Sequence, residues 1–242
     1  MKLHQFPISH YCEKIRWALD YKKLDYEVVN YLPGRHIRPI KALSGQTSVP
    51  VLTHGDQIIS GSADIISWLD EQFPERSLTP ADPALKQQAL EWERRLDEKA
   101  GPAVRLWTYH YLLTRPELVV PLLIPSQPFW LGWLLRLKFK DIDKGMRRWM
   151  NINEQTAEVA RTTMEGLLDE LRHEYSASHF LVGESFSRAD LTACSLFAMT
   201  YQPKAYPVPW PALDKLPQPM QQWLVEHRDY IEPLHQRYQQ YR

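Results

Sequence analysis

The sequence predicts an α/β segment followed by an all-α segment, and three observations carry that reading. Short runs of strand formers alternate with helix-period runs over about the first seventy residues. A break with three prolines and few core formers then runs from Phe73 to Pro83. Beyond it strand signals vanish, and apolar residues recur at helical spacing. The boundaries implied are residues 1–76 for a first βαβ-αββα domain, 77–83 for a linker and 84–242 for a helical-bundle domain.

Leu3 to Phe6 reads as a strand. Ser9 to Lys22 reads as a helix with Ile15, Ala18, Leu19 and Lys22 along one stripe, and Tyr26 to Tyr31 as a second strand. Strand, helix and strand in about thirty residues form a βαβ unit, because parallel neighbours need a crossover that a helix can fill. A looser helical stretch near Arg38 to Leu43 follows. Val51-Leu52-Thr53 and Gln57-Ile58-Ile59-Ser60, separated by His54-Gly55-Asp56, suit a hairpin. A helix from Ser62 to Gln72 closes the domain, with Ile65, Ile66, Trp68 and Leu69 as its apolar positions.

In the second part helical periodicity covers Ala84 to Thr114, Ile152 to Tyr175, Ser187 to Thr200 and Pro219 to Tyr230. The helix after Ser187 has the clearest start. Ser187 supplies a hydroxyl N-cap, Asp190 the carboxylate three residues on, and Phe186 and Leu191 the staple pair. Its apolar set is too wide for a surface helix, so it is expected at the domain centre, with Cys194 as a small core residue.

Composition excludes several classes. Hydrophobic residues are 44% and charged residues 24% of the 242 positions, ample for a core, so the chain is not a disordered one. Lys plus Arg and Asp plus Glu number 29 each, which removes the broad field that draws a protein onto nucleic acid or anionic lipid. Two cysteines, Cys12 and Cys194, make neither a disulfide framework nor a cysteine zinc site and fit a reducing cytosol. No run of signal-peptide length follows Met1-Lys2. The longest uncharged stretch, Leu118 to Leu135, holds Pro121, Pro125 and Pro128, each of which removes a backbone donor; it reads as a bent apolar segment and not a membrane span. Arg136, Lys138, Lys140, Lys144, Arg147 and Arg148 form the one basic cluster, which Asp141 and Asp143 interrupt, so it reads as a solvated helix face. His173, Glu174 and His179 lack the spacing of a helical zinc pair, and Ile152 stands where a calcium loop starting at Asp141 needs an acid. No metal is expected.

The order of parts, with four local motifs, resembles the cytosolic glutathione transferase family and its thioredoxin-like first domain. Pro7-Ile8-Ser9-His10-Tyr11-Cys12-Glu13-Lys14-Ile15-Arg16 is similar to the family's first strand-to-helix turn, where the thioredoxin-like ancestor has Cys-x-x-Cys and many transferases have Ser at the first of those places. Ser48-Val49-Pro50-Val51-Leu52 is similar to the segment whose proline is cis. Ile59-Ser60-Gly61-Ser62-Ala63-Asp64-Ile65 is similar to the turn that grips the γ-glutamyl end of glutathione, and Ser187 to Asp190 to the capping-box helix. The likeness covers nearly the whole chain, loosely between Pro102 and Asn151.

The resemblance implies glutathione as co-substrate, a small hydrophobic electrophile as the second substrate, a homodimer in the cytoplasm, and no nucleic-acid partner. A peripheral membrane contact through the insert is the less favoured reading. The chemical task is to ionise a thiol whose ordinary pKa near 8.5 leaves only a few per cent thiolate at neutral pH. A helix N-terminus and a hydroxyl donor both favour the anion, and about two pKa units correspond to roughly 2.7 kcal/mol. Ser9 is the residue placed for this by the resemblance; read as a residue alone it is also an ordinary N-cap. Cys12 is the rival, through a mixed disulfide of the reductase or lyase kind, and Tyr11 an alternative donor.

For the tripeptide, the backbone of Val49 beside Pro50 is expected to pair as a strand would, and the start of the helix at Ser62 to take a carboxylate. The family commonly has an acid just before that serine; here it is Gly61, and Asp64 is the alternative partner for the γ-glutamyl ammonium. Arg35, ahead of the second helix, is a candidate for the glycyl carboxylate. Trp107 and Tyr111, with the aromatic run near Trp130 and Trp133, are candidates for the electrophile wall, although aromatics at helical spacing also build cores. A binding module that keeps the fold without the chemistry is the alternative of a different class.

Overall fold

In the computed structural model, which describes residues 1–125 and 128–242, the first part is β1 (Lys2–Gln5), α1 (His10–Tyr21), β2 (Glu27–Asn30), α2 (Ile37–Ser44), β3 (Val51–His54), β4 (Gln57–Ser60) and α3 (Ser62–Gln72). The strands order β2-β1-β3-β4. β1 and β2 are parallel, and both other pairs are antiparallel. Leu3 stands opposite Val28 on one side and Leu52 on the other, and its burial makes it the hub where sheet meets helices. This is a thioredoxin-like layer arrangement, as expected from the alternation of strand and helix signals.

The second part is helical: α4 (Pro83–Leu112), α5 (Pro116–Leu123), α6 (Phe129–Leu137), α7 (Phe139–Met150), α8 (Glu154–Ala177), α9 (Arg188–Tyr201), α10 (Gln218–Glu226) and α11 (Arg228–Tyr241), with a short 3-10 turn at Leu213–Lys215. α4 starts on Asp82, whose carboxylate accepts from the amides of Ala84 and Leu85 at 2.9 Å, and Pro83 fills the first helical position. It continues through Pro102 without a break. α9 starts on the expected capping box: Asp190 accepts from the Ser187 amide at 3.1 Å, and every residue from Arg188 to Thr200 is buried. α9 is therefore the centre of the bundle, and Cys194 is wholly inside it.

Two expectations are corrected. The periodicity from Pro219 to Tyr230 resolves into α10 and α11, which meet at His227. The stretch from Leu118 to Leu135 is not simply bent: it carries most of α5 and of α6, with Pro121 accommodated inside α5 and Pro125 and Pro128 falling between the two helices. Ser126 and Gln127 within it lie outside the described residues. No helix among the described residues is long and apolar enough to cross a membrane.

The two parts share one apolar core, running from Leu3, Ile15 and Trp17 to Leu96, Val104 and Phe197. Polar contacts reinforce that junction. Lys14 of α1 lies 2.8 Å from both Glu93 and Asp97 of α4. Arg188 of α9 reaches Glu93, and its other nitrogens donate to Ser67 Oγ (3.1 Å), Thr79 Oγ1 (3.0 Å) and the carbonyl of Ala63 (2.9 Å). Three helices, α3, α4 and α9, and the connecting segment thus meet on one guanidinium. Farther along α1, Glu13 accepts from Tyr238 (2.5 Å) and Arg242 (2.9 Å), which ties the C-terminal helix to the first domain.

Candidate active site

The sheet topology gathers the expected residues at one end. Parallel pairing of β1 and β2 sets Gln5 beside Asn30, and antiparallel pairing sets His4 beside Val51 and Val51 beside Ser60. The turn to Ser9, the loop to Arg35, Val49-Pro50 and Gly61-Ser62 therefore all emerge at the C-terminal end of β1. An open hollow lined by Met1, Lys2, Tyr26 and His54 lies at the other end of that strand and has no part in this constellation.

Ser9 is the N-cap of α1. Its backbone is extended (φ −71°, ψ 123°), and its Oγ accepts from the Cys12 amide at 3.3 Å. The side chain is half-buried, and among the described residues its hydroxyl proton has no acceptor. One O–H remains free at the positive end of a twelve-residue helix.

The neighbours are committed elsewhere. Cys12 points inward with no exposed surface, and burial pushes its thiol up, against the opposing pull of Arg16 and of the nearby Ser9 hydroxyl, which would bond it only as a thiolate. A buried, protonated thiol is a poor nucleophile, which weighs against the rival role considered for Cys12. Tyr11 donates its hydroxyl to the carbonyl of Asp97 at 2.6 Å, and burial raises its pKa well beyond the usual phenol range. In this structure the side chain is a clasp between α1 and α4.

Val49-Pro50 is cis, and among the described residues neither the amide nor the carbonyl of Val49 has a backbone partner. The Pro50 carbonyl accepts from the Gly61 amide at 3.2 Å, which holds this segment against the start of α3. Gly61 sits at φ 93°, a region glycine enters without strain; the backbone therefore explains why a glycine replaces the expected acid. Ser62 opens α3 and is buried, while Asp64 in the first turn is an exposed carboxylate without a partner among the described residues. Arg35 is likewise exposed, without a carboxylate partner among them. An ammonium and a carboxylate on an extended peptide thus have an acid, a helix start and a guanidinium around one rim, with free backbone groups between them.

Trp107 is not available as a pocket wall. It is buried, with its ring 4.6 Å from Trp223 of α10 and 5.4 Å from Tyr111 in an edge contact. The reason is helix phase: the face of α4 that meets α1 carries Asp97 and Gly101, about 80° or more away from Trp107. Tyr111 is half-buried within the same packing, with His110 4.9 Å away.

Sequence reasoning missed three residues beside Ser9. His10, the first residue of α1, is 1% exposed with neither ring nitrogen hydrogen-bonded among the described residues. Burial, with Arg105 adding to it, pushes its pKa down to about 3, so it is neutral at pH 7. Gly101 admits Tyr11: a Cβ there would lie 2.0 Å from the phenolic oxygen. Arg105, one turn on, has no hydrogen bond or ion pair among the described residues, its Nε is buried, and its guanidinium lies 5.8 Å from the Trp149 ring. A glycine inside a long helix was the one legible signal for such a close approach. Among the described residues no group of three or more His, Cys, Asp or Glu is placed to hold a metal ion.

Comparison with known proteins adds to this geometry. Residues 3–77 match the family described as "Glutathione S-transferase, N-terminal domain", and residues 117–221 match "Glutathione S-transferase, C-terminal domain". Glutathione S-transferase 1 of Dianthus caryophyllus is 40% identical over 96 residues, 38% of this chain and 42% of that protein. A maleylpyruvate isomerase of Ralstonia sp is 40% identical over 85 residues, 34% of this chain and 40% of that one. These alignments thus span less than half the length of those relatives. Among solved structures, the beta-etherase LigF of Sphingobium sp. strain SYK-6 aligns with a TM-score of 0.64 at 20% identity, over 98% of both chains. A glutathione S-transferase of Methylobacterium radiotolerans in complex with glutathione sulfonate aligns with a TM-score of 0.61 at 17% identity, over 97% of this chain and 88% of that one.

Proposed function

Because this chain belongs to the glutathione S-transferase family, we propose that it binds glutathione at the end of the sheet where Ser9, Val49 and Gly61 converge and adds the thiolate to a small hydrophobic electrophile. The observation that carries the reading is the unspent O–H of Ser9 at the N-terminus of α1. A thiol placed against it meets a hydrogen-bond donor and the partial positive charge of the helix, both of which favour the anion.

The rest of the rim supports the same peptide. Val49 offers its N–H and C=O to the cysteinyl backbone, Asp64 faces the ammonium, and the first amides of α3 with Ser62 take the γ-glutamyl carboxylate. Arg35 is assigned the glycyl carboxylate. The electrophile is taken near the half-buried Arg105 of α4, the Gly101 position on the same helix being filled by Tyr11. The homodimer implied by the family is part of this proposal.

A second reading shares the thiolate. Reversible addition to a conjugated double bond, rotation and elimination would give an isomerase, and the relative named as a maleylpyruvate isomerase favours keeping it. A thiol-exchange enzyme built on Cys12 is disfavoured by the burial of that thiol. Turnover of glutathione with a chromogenic aryl halide tests the first reading: Ser9→Ala is expected to lower kcat by about tenfold to a hundredfold. Unchanged turnover in Ser9→Ala, or loss confined to Cys12→Ala, removes it.

A further inference from the structure

The strongest unexplained surface lies at the corner of α6 and α7. Trp130, Trp133, Leu134 and Leu137 are 53%, 62%, 43% and 65% exposed, and their spacing puts all four on one stripe of α6. The helix is not loose. Its other side is seated on α5, where a Cβ on Gly132 would lie 3.6 Å from Ile124 and 4.0 Å from Val120. Two tryptophans and two leucines held in water on an anchored helix are too large an apolar patch to be incidental.

Charge says what covers it. Although the whole chain is neutral, residues 136–148 carry six cations against two carboxylates. One carboxylate, Asp143, is occupied by Arg147 at 2.7 Å. Arg136, Lys138, Lys140, Lys144 and Arg148 are exposed and have no ion pair among the described residues. An apolar stripe ending in tryptophans, with unpaired Lys and Arg beside it, is the composition that lies in a bilayer interface: rings at headgroup depth, cations on anionic headgroups. A second copy of this chain fits less well. A self-complementary contact through the stripe would bring two such basic segments together.

We infer that the α6–α7 corner is a docking surface for an anionic lipid bilayer, holding the protein peripherally with its stripe in the headgroup layer. Co-sedimentation of the full chain with phosphatidylcholine vesicles, with and without phosphatidylglycerol, tests this. Binding is expected only with the anionic lipid, and it should fall with added salt. Trp130→Ser/Trp133→Ser and Lys138→Glu/Lys140→Glu should each weaken it by about tenfold or more, with circular dichroism unchanged because all four side chains are exposed. No binding to anionic vesicles overturns the inference. So does binding that the tryptophan variant leaves intact, which would be headgroup adhesion elsewhere. Conversion of a dimer to a monomer by the tryptophan variant, without lipid binding, would assign the stripe to a second copy. Equal binding of wild type and tryptophan variant to polyglutamate, with vesicles ignored, would assign the charges to an acidic macromolecule.

Discussion

Arg188 of α9 and Glu93 of α4 form an ion pair with 2.6 Å between Nε and Oε2, and each side chain is only 2% exposed. Lys14 of α1 shares the same carboxylate at 2.8 Å. Removing Glu93 leaves Arg188 buried without a carboxylate and Lys14 with Asp97 alone, and uncovering a buried charge costs more than the pair contributes relative to apolar packing. Glu93→Ala should therefore lower the unfolding free energy by about 3–5 kcal/mol in urea titration. A loss under about 1 kcal/mol would mean that water reaches the two cations.

Tyr11 and Gly101 set the approach of α1 to α4. A Cβ on Gly101 would lie 2.0 Å from the Tyr11 oxygen and 2.4 Å from the ring carbon that bears it. Gly101→Ala gains helix propensity but must push the ring aside, and overpacking of this kind costs about 1–3 kcal/mol. Combined with Tyr11→Ala, the cost of the alanine should largely vanish. Strict additivity in the double variant would show that the contact is not tight.

The fold was more legible than the site, for reasons visible in single residues. Local chemistry announces itself: the Ser187–Asp190 capping box, the hairpin at His54-Gly55-Asp56 and the proline at the first turn of α4 need only neighbours in sequence. Lys14, Glu93 and Arg188 come from three helices, and nothing near any of them shows that the other two complete a buried network. Trp107 and Tyr11 show a related limit. Residue type suggested a ligand wall and a donor, while helix phase and an interdomain carbonyl had already claimed both side chains. Ser9, Pro50 and Gly61 were readable because turns at strand ends depend on short-range backbone chemistry.

His10 gives a pH signature. Its imidazole is held down to about 3 by burial, against 6.5 when exposed. The unfolded chain therefore binds the proton more readily, and stability from this group, present above pH 6.5, is lost as pH falls toward 3. By pH 5 the loss is about 2 kcal/mol. His10→Phe removes the titrating group, so its stability should drop less than that of the wild type between pH 7 and pH 5. Parallel drops would mean that water or a counter-charge reaches the ring.

The most direct measurement is the acidity of the bound thiol, read from thiolate ultraviolet absorbance while the glutathione complex is titrated. Donation from Ser9 at the start of α1 predicts a pKa about two units below that of the free peptide, with Ser9→Ala moving it most of the way back. A bound thiol as weakly acidic as the free one, or a shift that Ser9→Ala leaves in place, would contradict the account.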